Sequence, residues 1–266
     1  KNFRQWGART PGHPEYGLTP GVETTTGPLG QGVANSVGMA LAERWLAHRF
    51  NQPGHTIVDH FTYAFCSDGD LMEGISHEAA EIAGHQKLGK LIWIYDDNQI
   101  SIEGDTCLTS CTDQEQRFKG YGWHVQRVSD GNDRTAMGAA LQAARETGDQ
   151  PSLIILRTQI AFGSPNKAGS ESSHGAPLGE EEIQATKKNL GYPSREPFYV
   201  DPDALAWLRD HCGSRGKALQ GDWEERFTAY REVHPEAARE FEAMMTGELP
   251  EGWDEEVPDM EALEKA

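Results

Sequence analysis

The sequence has no apolar run that approaches the roughly 20 consecutive residues needed to cross a lipid bilayer. Its first residues, KNFRQWGART, lack the apolar centre of a secretory signal, so we expect a cytoplasmic protein with no membrane partner. Cysteine is also scarce. Only four cysteines are present, and no second pair at zinc-ligand spacing accompanies Cys107 and Cys111, which favours reduced thiols over a zinc site or disulfides.

The sequence also has few positively charged residues relative to acidic ones. The chain has 24 Lys and Arg residues against 42 Asp and Glu residues, which gives a formal net charge of −18. Binding to nucleic acid or to an anionic membrane needs clustered Lys and Arg side chains that neutralise phosphates. We therefore expect no nucleic-acid partner, and the acidic stretches are typical of a solvated surface.

Short apolar runs bounded by turn residues are what the sequence does contain. They are FTYAFC (61–66), LIWIY (91–95), WHVQRV (123–128) and SLIIL (152–156). They alternate with stretches of helical spacing, and an earlier stretch predicts a helix from Gln31 to about Phe50. This alternation predicts an α/β fold with a doubly wound, mainly parallel sheet flanked by helices. Because the runs are apolar throughout, we expect strands that are buried on both faces.

The pattern changes after Pro177. Four amphipathic stretches follow one another without strands between them, at 178–191, 201–212, 218–234 and 235–247, with Asp201 and Pro235 at helix starts. The sequence therefore predicts an α/β domain at 1–177 and a helical segment at 178–266 that leads towards a further domain.

Two polar steps follow neighbouring strands. Asp68 comes just after the first run, Asn98 follows the second, and a helical stretch separates them. A right-handed crossover makes the two strands parallel, so both steps emerge at the same carboxyl edge of the sheet, where ligands of open α/β sheets bind. Carboxylate, amide and carbonyl oxygens suit Mg²⁺ or Ca²⁺ shared with a phosphate ester. The alternative is that both are ordinary turn residues.

Five motifs in order carry a resemblance to a known family. They are TPGHPE, GVETTTGPLGQG, LMEGISHEAAEIAGH, DDNQISIEG and FGSPNKAG followed by SHGAPLG. Together they resemble the transketolases, which depend on thiamine diphosphate, and the resemblance extends to LPEGWDEEVPDM near the end of the chain. It implies transfer of a two-carbon ketol unit from a ketose phosphate to an aldose phosphate through a cofactor-stabilised carbanion, as in the pentose phosphate pathway and the Calvin cycle.

The resemblance also implies roles for individual residues. The divalent ion, Mg²⁺ or alternatively Ca²⁺, would be held by Asp68, Asn98 and the backbone carbonyl of Ile100. Further contacts to thiamine diphosphate would come from Gly69 at the diphosphate, from Gly27 and Leu29 along the rings, and from Ile160.

Two histidines and one glutamate complete the implied site. His13 would lie near the sugar phosphate substrate, and His174 between the diphosphate and the substrate. Glu73 would lie near the interface of a homodimer. Both histidines fall in loops, where functional residues concentrate, whereas His77 falls in a helical stretch and is expected to serve packing.

The chain departs from the family pattern at Ser67, where the family has the first glycine of Gly-Asp-Gly. If this position required a positive φ, serine would cost about 1 kcal/mol. The relatives also begin earlier and continue into a pyrimidine-binding domain, so we expect these 266 residues alone to be inactive. A dihydroxyacetone synthase-like ketol transferase and a non-catalytic subunit that retains the fold remain as alternatives.

Overall fold

A computed structural model describes residues 2–249 and 252–255, and the chain divides into two compact units. Of the described residues, the first unit comprises 2–42 and 60–202, and the second comprises 43–59, 203–249 and 252–255. The contacts within the chain divide it after Pro202, and they assign the end of the first helix to the second unit. Whether 1–177 and 178–266 act as separate domains stays a prediction.

The elements of the first unit follow the predicted alternation. Its helices are α1 (Gln31–Phe50, shared with the second unit), α2 (Gly74–His85), α3 (Gln114–Gly120), α4 (Arg134–Glu146) and α5 (Glu180–Asn189). Its strands are β1 (Thr62–Ser67), β2 (Leu91–Asp97), β3 (Ile100–Ser101), β4 (Gly104–Asp105), β5 (His124–Val128) and β6 (Ser152–Arg157).

The main sheet has four parallel strands in the order β1-β2-β6-β5, and β3 and β4 form a separate antiparallel hairpin. Successive side chains of β2 alternate between the two faces. Trp93 packs on one face with α1, α2 and α3, whereas Ile92 packs on the other with α4. Helices therefore cover both faces, which confirms the doubly wound α/β fold.

Strand β1 differs from the expectation of burial on both faces. Cys66 is buried, but Tyr63 and Phe65 are 46% and 78% exposed. The reason is positional, because β1 stands at the end of the strand order and its apolar composition does not reveal that. The central strands β2 and β6 are buried as predicted.

The second unit is helical. It contains α6 (Pro202–Leu208), α7 (Arg215–Val233) and α8 (Pro235–Thr246), and π-helical residues Arg209–Ser214 join α6 to α7 without a break. The two stretches predicted as separate helices at 201–212 and 218–234 thus form one continuous helical run. Within residues 2–249 and 252–255, no helix combines the length and the apolar character needed to cross a membrane.

The core of the second unit is aromatic. Phe50 packs edge-on against Phe241 with ring centroids 5.3 Å apart, and Phe227 and Tyr230 are buried in the same cluster. Pro235 stands in the first turn of α8, where its missing N–H breaks no helical hydrogen bond, as the sequence predicts.

Candidate functional site

The carboxyl ends of β1 and β2 meet at one edge of the sheet. Ser67 pairs with Asp96 in parallel register, so Asp68, which directly follows β1, comes level with Asp97, and Asn98 follows one position later. The structure therefore brings Asp68 and Asn98 to the same edge, because parallel strands end on the same side.

The Asp68 carboxylate is 6% exposed and only half satisfied. Its Oδ1 accepts a hydrogen bond of 2.5 Å from the Tyr95 hydroxyl, whereas Oδ2 is buried and has no hydrogen-bond partner among the described residues. Burial raises the pKa of Asp68, and the nearby charge of Asp97 adds to this rise; the hydrogen bond from Tyr95 opposes it, and so does the approach of the Gln99 backbone N–H to the carboxylate. Burial and the neighbouring Asp68 raise the pKa of Tyr95, so the phenol remains the donor of this pair.

A polar cavity of about 190 Å³ opens beside Asp68. Asp97 and Asp113 also line it, and so does Arg127, whose guanidinium lies 3.9 Å from the Asp97 carboxylate. A buried, unpaired carboxylate oxygen is costly unless a proton, a water molecule or a cation meets it. The oxygen-rich wall therefore fits a hard divalent cation.

Asn98 is held by its own turn. Its amide oxygen accepts from the Ile100 N–H at 2.9 Å, and its amide nitrogen donates to Asp96 at 3.1 Å. Gln99, which lies between Asn98 and Ile100, has a φ of 61°, an uncommon conformation for a residue other than glycine. Asn98 and Ile100 line a second cavity of about 350 Å³, whereas Asp68 lines the first.

The predicted metal ligands thus share a sheet edge but line two different cavities, with Gln99 in the lining of both. Within the described part of the chain, no group of three or more His, Cys, Asp or Glu side chains is arranged to hold a metal ion. A cation at Asp68 would therefore need amide, backbone or cofactor oxygens for the rest of its shell. The ligand set Asp68, Asn98 and Ile100 remains a prediction.

Four other predicted site residues form two contacts, in which residues of the loop before α1 take part. A Cβ atom added to Gly27 would lie 3.1–3.2 Å from ring atoms of His13, so the imidazole lies directly against the glycine backbone. A Cβ at Gly69 would lie 3.3 Å from Leu29 Cδ1, so this leucine covers the turn after β1. A side chain at either glycine would crowd its neighbour, so His13 and Leu29 pack directly on glycine backbone.

Asp70 is a residue of this site that the sequence reasoning missed. Its carboxylate accepts hydrogen bonds from the backbone N–H of Gly30 and from both the N–H and the hydroxyl of Ser67. The spacing of Ser67 and Asp70 at the end of a strand is a turn signal that could have identified this contact. Ser67 has no positive φ, so the strain considered for this departure from the family pattern is absent.

Ile160 and His174 belong to the long loop after β6. The Ile160 carbonyl accepts from Gly169 N–H at 2.9 Å, and the following Ala161 has a φ of 52°. His174 follows the short helical turn Glu171–Ser173 and is exposed. No hydrogen bond or ring contact within the described residues joins His174 to His13 or to Asp68, so their common role stays a prediction.

Glu182 of α5 anchors this loop. Its carboxylate accepts from the side chain and backbone N–H of Asn166, at 2.8 Å in both cases, and from the hydroxyl of Ser164. These hydrogen bonds, with that of the Asn166 side chain first, lower the pKa of Glu182 to about 2. These hydrogen bonds attach α5 to the middle of the segment between Ile160 and His174.

Glu73 directly precedes α2. It is exposed, and its side chain makes no capping hydrogen bond to the helix. Its Cβ lies 3.0 Å from the position that a Cβ on Gly30 would occupy, so it borders the same loop as Leu29. Its carboxylate is therefore not occupied by a capping hydrogen bond to α2.

Comparisons with known proteins give a consistent result. Residues 1–250 match the family described as "Transketolase, thiamine diphosphate binding domain". A transketolase of Halalkalibacterium halodurans is 51% identical over 98% of this chain and 39% of its own length, and transketolase 2 of Escherichia coli is 54% identical over 96% and 38%. The structure of transketolase from Leishmania mexicana superposes with a TM-score of 0.93 at 48% identity, over 97% of this chain and 38% of that one. The chain thus spans about two fifths of the length of these relatives.

Proposed function

This chain belongs to the transketolase thiamine diphosphate-binding family, and we propose that it is the diphosphate-side part of a ketol transferase. The complete protein moves a two-carbon unit from a ketose phosphate to an aldose phosphate. The observation that carries the proposal is the unpartnered, buried Oδ2 of Asp68 at the carboxyl edge of the sheet, followed directly by Gly69, which has no side chain. Both features fit a cation and a diphosphate at this edge.

Asp68, Asn98 and the carbonyl of Ile100 would hold Mg²⁺, with Ca²⁺ as a substitute. Asp68 supplies charge and a free oxygen. The amide oxygen of Asn98 has two lone pairs, so it can keep its bond to the Ile100 N–H and still face an ion. The left-handed turn at Gln99 sets the direction in which the Ile100 backbone leaves the strand end.

Gly27, Leu29, Gly69 and Ile160 would line thiamine diphosphate. Leu29 is 54% exposed although it is apolar, and a ligand ring packed on it would remove that surface from water. Gly69 has no side chain of its own, so its backbone would contact the diphosphate beside Leu29. When bound, the cofactor supplies the electron sink that cleavage of a carbon–carbon bond next to a ketone requires.

His13 and His174 would act on the sugar phosphate. Both imidazoles are exposed and make no side-chain hydrogen bond to another described residue, so their ring nitrogens are available to a ligand. Imidazole can donate hydrogen bonds to hydroxyl and phosphate oxygens and can carry a proton at a carbonyl near neutral pH. His13 lies against Gly27, which fixes it beside the proposed ring site.

The surface beside Glu73 supports assembly as a homodimer. The neighbouring Met72 and Ile75 are 39% and 47% exposed, together with Leu29. Exposed apolar side chains beside a charged residue are typical of a protein interface. We place Glu73 at that interface and the assembled protein in the cytoplasm.

Cofactor binding and ketol transfer by the full natural protein test this proposal. The metal-stripped protein is titrated with thiamine diphosphate with and without Mg²⁺, followed by fluorescence. The loaded protein is then given a ketose phosphate and an aldose phosphate. Mg²⁺-dependent binding with transfer supports the proposal. Binding without transfer would point to a non-catalytic subunit, and transfer to a small non-phosphorylated aldehyde alone would point to a dihydroxyacetone synthase-like enzyme. The 266-residue chain alone should show no transfer.

A further inference from the structure

Asp70 joins two segments that are far apart in the sequence. Its Oδ1 accepts from the Gly30 N–H at 2.9 Å, and its Oδ2 accepts from the Ser67 N–H at 2.9 Å and from the Ser67 hydroxyl at 3.1 Å. Gly30 ends the loop that contains Gly27 and Leu29, whereas Ser67 ends β1 next to Asp68. One half-buried carboxylate therefore ties the two predicted walls of the cofactor site together.

The backbone of Asp70 is fixed as firmly as its side chain. Its carbonyl oxygen accepts from the Ser76 hydroxyl at 2.6 Å and from the Glu73 N–H at 3.3 Å. Gly30 has a φ of 80°, and a Cβ there would lie 2.8 Å from Ile75 Cγ2. The loop is thus pressed against the start of α2, and the carboxylate of Asp70 is the polar group that holds it there.

The position of this contact determines what it controls. Leu29 directly precedes Gly30, and Gly69 directly precedes Asp70. Across the same gap, Leu29 Cδ1 lies 3.3 Å from the Cβ position of Gly69. We propose that Asp70 is a positioning residue that sets the spacing of Leu29 and Gly69 and thereby prepares the site for thiamine diphosphate. This inference rests on the proposed function of the chain.

The chemistry requires a carboxylate at this position. Three N–H or O–H donors converge on its two oxygens, and an ionised carboxyl group is a pure acceptor. An asparagine would turn its NH₂ group towards either Gly30 N–H or Ser67 N–H, so one donor would face another donor. Ser67 adds the third donor at the position where the family pattern has glycine, so Ser67 and Asp70 act as a pair in this chain.

The test compares Asp70→Asn and Asp70→Ala with Asp133→Ala in the full natural protein. Asp133 is a matched control because its carboxylate also accepts from two backbone N–H groups, those of Thr135 and Ala136, at the start of α4. That helix packs on the opposite face of the sheet from α2. All variants lose local hydrogen bonds, but only the Asp70 variants alter the proposed site.

We expect both Asp70 variants to raise the Kd for thiamine diphosphate at saturating Mg²⁺ by about tenfold, with Ser67→Ala between them and the unaltered protein. The apparent KM for the cofactor should rise in parallel, while kcat at saturating cofactor changes by no more than about twofold. Asp133→Ala should leave the Kd within about twofold. In the cofactor-free protein, amide hydrogen exchange of residues 26–30 should increase in the Asp70 variants and not in Asp133→Ala.

The outcomes separate two kinds of failure. If the unaltered protein binds thiamine diphosphate and the Asp70 variants bind it equally well, the positioning role is wrong and the proposed function stands. If the unaltered protein does not bind the cofactor, the proposed function and this inference fail together. Should Asp70→Ala not fold, Asp70→Asn and Ser67→Ala still decide the question, because each retains most of the local volume.

Discussion

The hydroxyl of Tyr95 on β2 donates a hydrogen bond of 2.5 Å to the carboxylate of Asp68, which directly follows the neighbouring strand β1. The pair crosses the sheet where the two strands end. It fixes one oxygen of Asp68 and leaves the other without a partner among the described residues. Tyr95 thus orients the Asp68 carboxylate beside the polar cavity, which both residues line.

Tyr95→Phe should therefore weaken divalent-ion binding without removing a ligand. Loss of a hydrogen bond that orients a metal ligand typically costs 10–100-fold in affinity, so we expect a decrease of about tenfold in Mg²⁺ affinity. The variant leaves a second buried oxygen of Asp68 unpaired, and the metal-free protein should lose about 1–3 kcal/mol of stability. Titration of cofactor binding against Mg²⁺ concentration and denaturant unfolding measure the two effects. Equal Mg²⁺ dependence in both proteins would contradict the orienting role.

Asp68→Ala should have a larger effect than Tyr95→Phe, since it removes the charged oxygen ligand itself. We expect Mg²⁺-dependent retention of thiamine diphosphate to fall by about a hundredfold or more in the full-length protein. Asn98→Ala should cause a milder loss, because an amide supplies no charge and its oxygen also serves the turn to Ile100. Fluorescence titration with the cofactor measures both, and unchanged affinity in the two variants would exclude the proposed ion site.

The two histidines should separate binding from turnover. His13→Ala should lower kcat by about a hundredfold, the usual range for loss of a group that moves protons, and leave cofactor affinity nearly unchanged. His174→Ala should reduce both, given its proposed place between diphosphate and substrate. His77→Gln is the contrasting variant, because His77 is buried and its Nε2 lies 2.7 Å from the Leu71 carbonyl oxygen, so it should affect stability alone. If both loop variants showed wild-type kinetics, His13 and His174 would have no role in substrate binding or turnover.

Local patterns in the sequence predicted much of this fold. Helix α1 has the predicted limits Gln31 and Phe50, and α8 begins at Pro235 as its ring geometry favours. The exposure of Phe65 was not predictable, because an apolar strand has the same composition at the centre and at the end of a sheet. The continuous run through Gly213 was also missed, since glycine ordinarily ends a helix and the π-helical residues conceal the amphipathic period.

The candidate site was predictable where topology determines it and not where distant contacts do. Asp68 and Asn98 share an edge because two parallel strands must end together. The hydrogen bond from Gly30 to Asp70 spans 40 positions, and the sequence pattern around neither residue indicates it. Motif spacing also does not express that Asp68 and Asn98 line separate cavities or that Gln99 has a φ of 61°.

The loop that carries Ile160 and His174 should respond to acid through Glu182. The hydrogen bonds from Asn166 and Ser164 lower the pKa of this carboxyl group from 4.5 to about 2. A depressed pKa in the folded state means that the unfolded chain binds the proton more readily. The stabilising contribution is therefore complete above about pH 4.5 and is lost as the pH falls towards 2.

Glu182→Gln should weaken this contribution at every pH, because a neutral amide carries no charge and offers one acceptor oxygen in place of two. At pH 7, amide hydrogen exchange in residues 160–174 should be faster in the variant than in the unaltered protein. The difference should shrink as the pH falls from 4.5 towards 2, since protonation weakens the same contacts in the unaltered protein. Glu181→Gln is the matched control from the same first turn of α5 and should exchange like the unaltered protein. A difference that stays constant across this pH range would show that the Glu182 carboxylate does not anchor the loop.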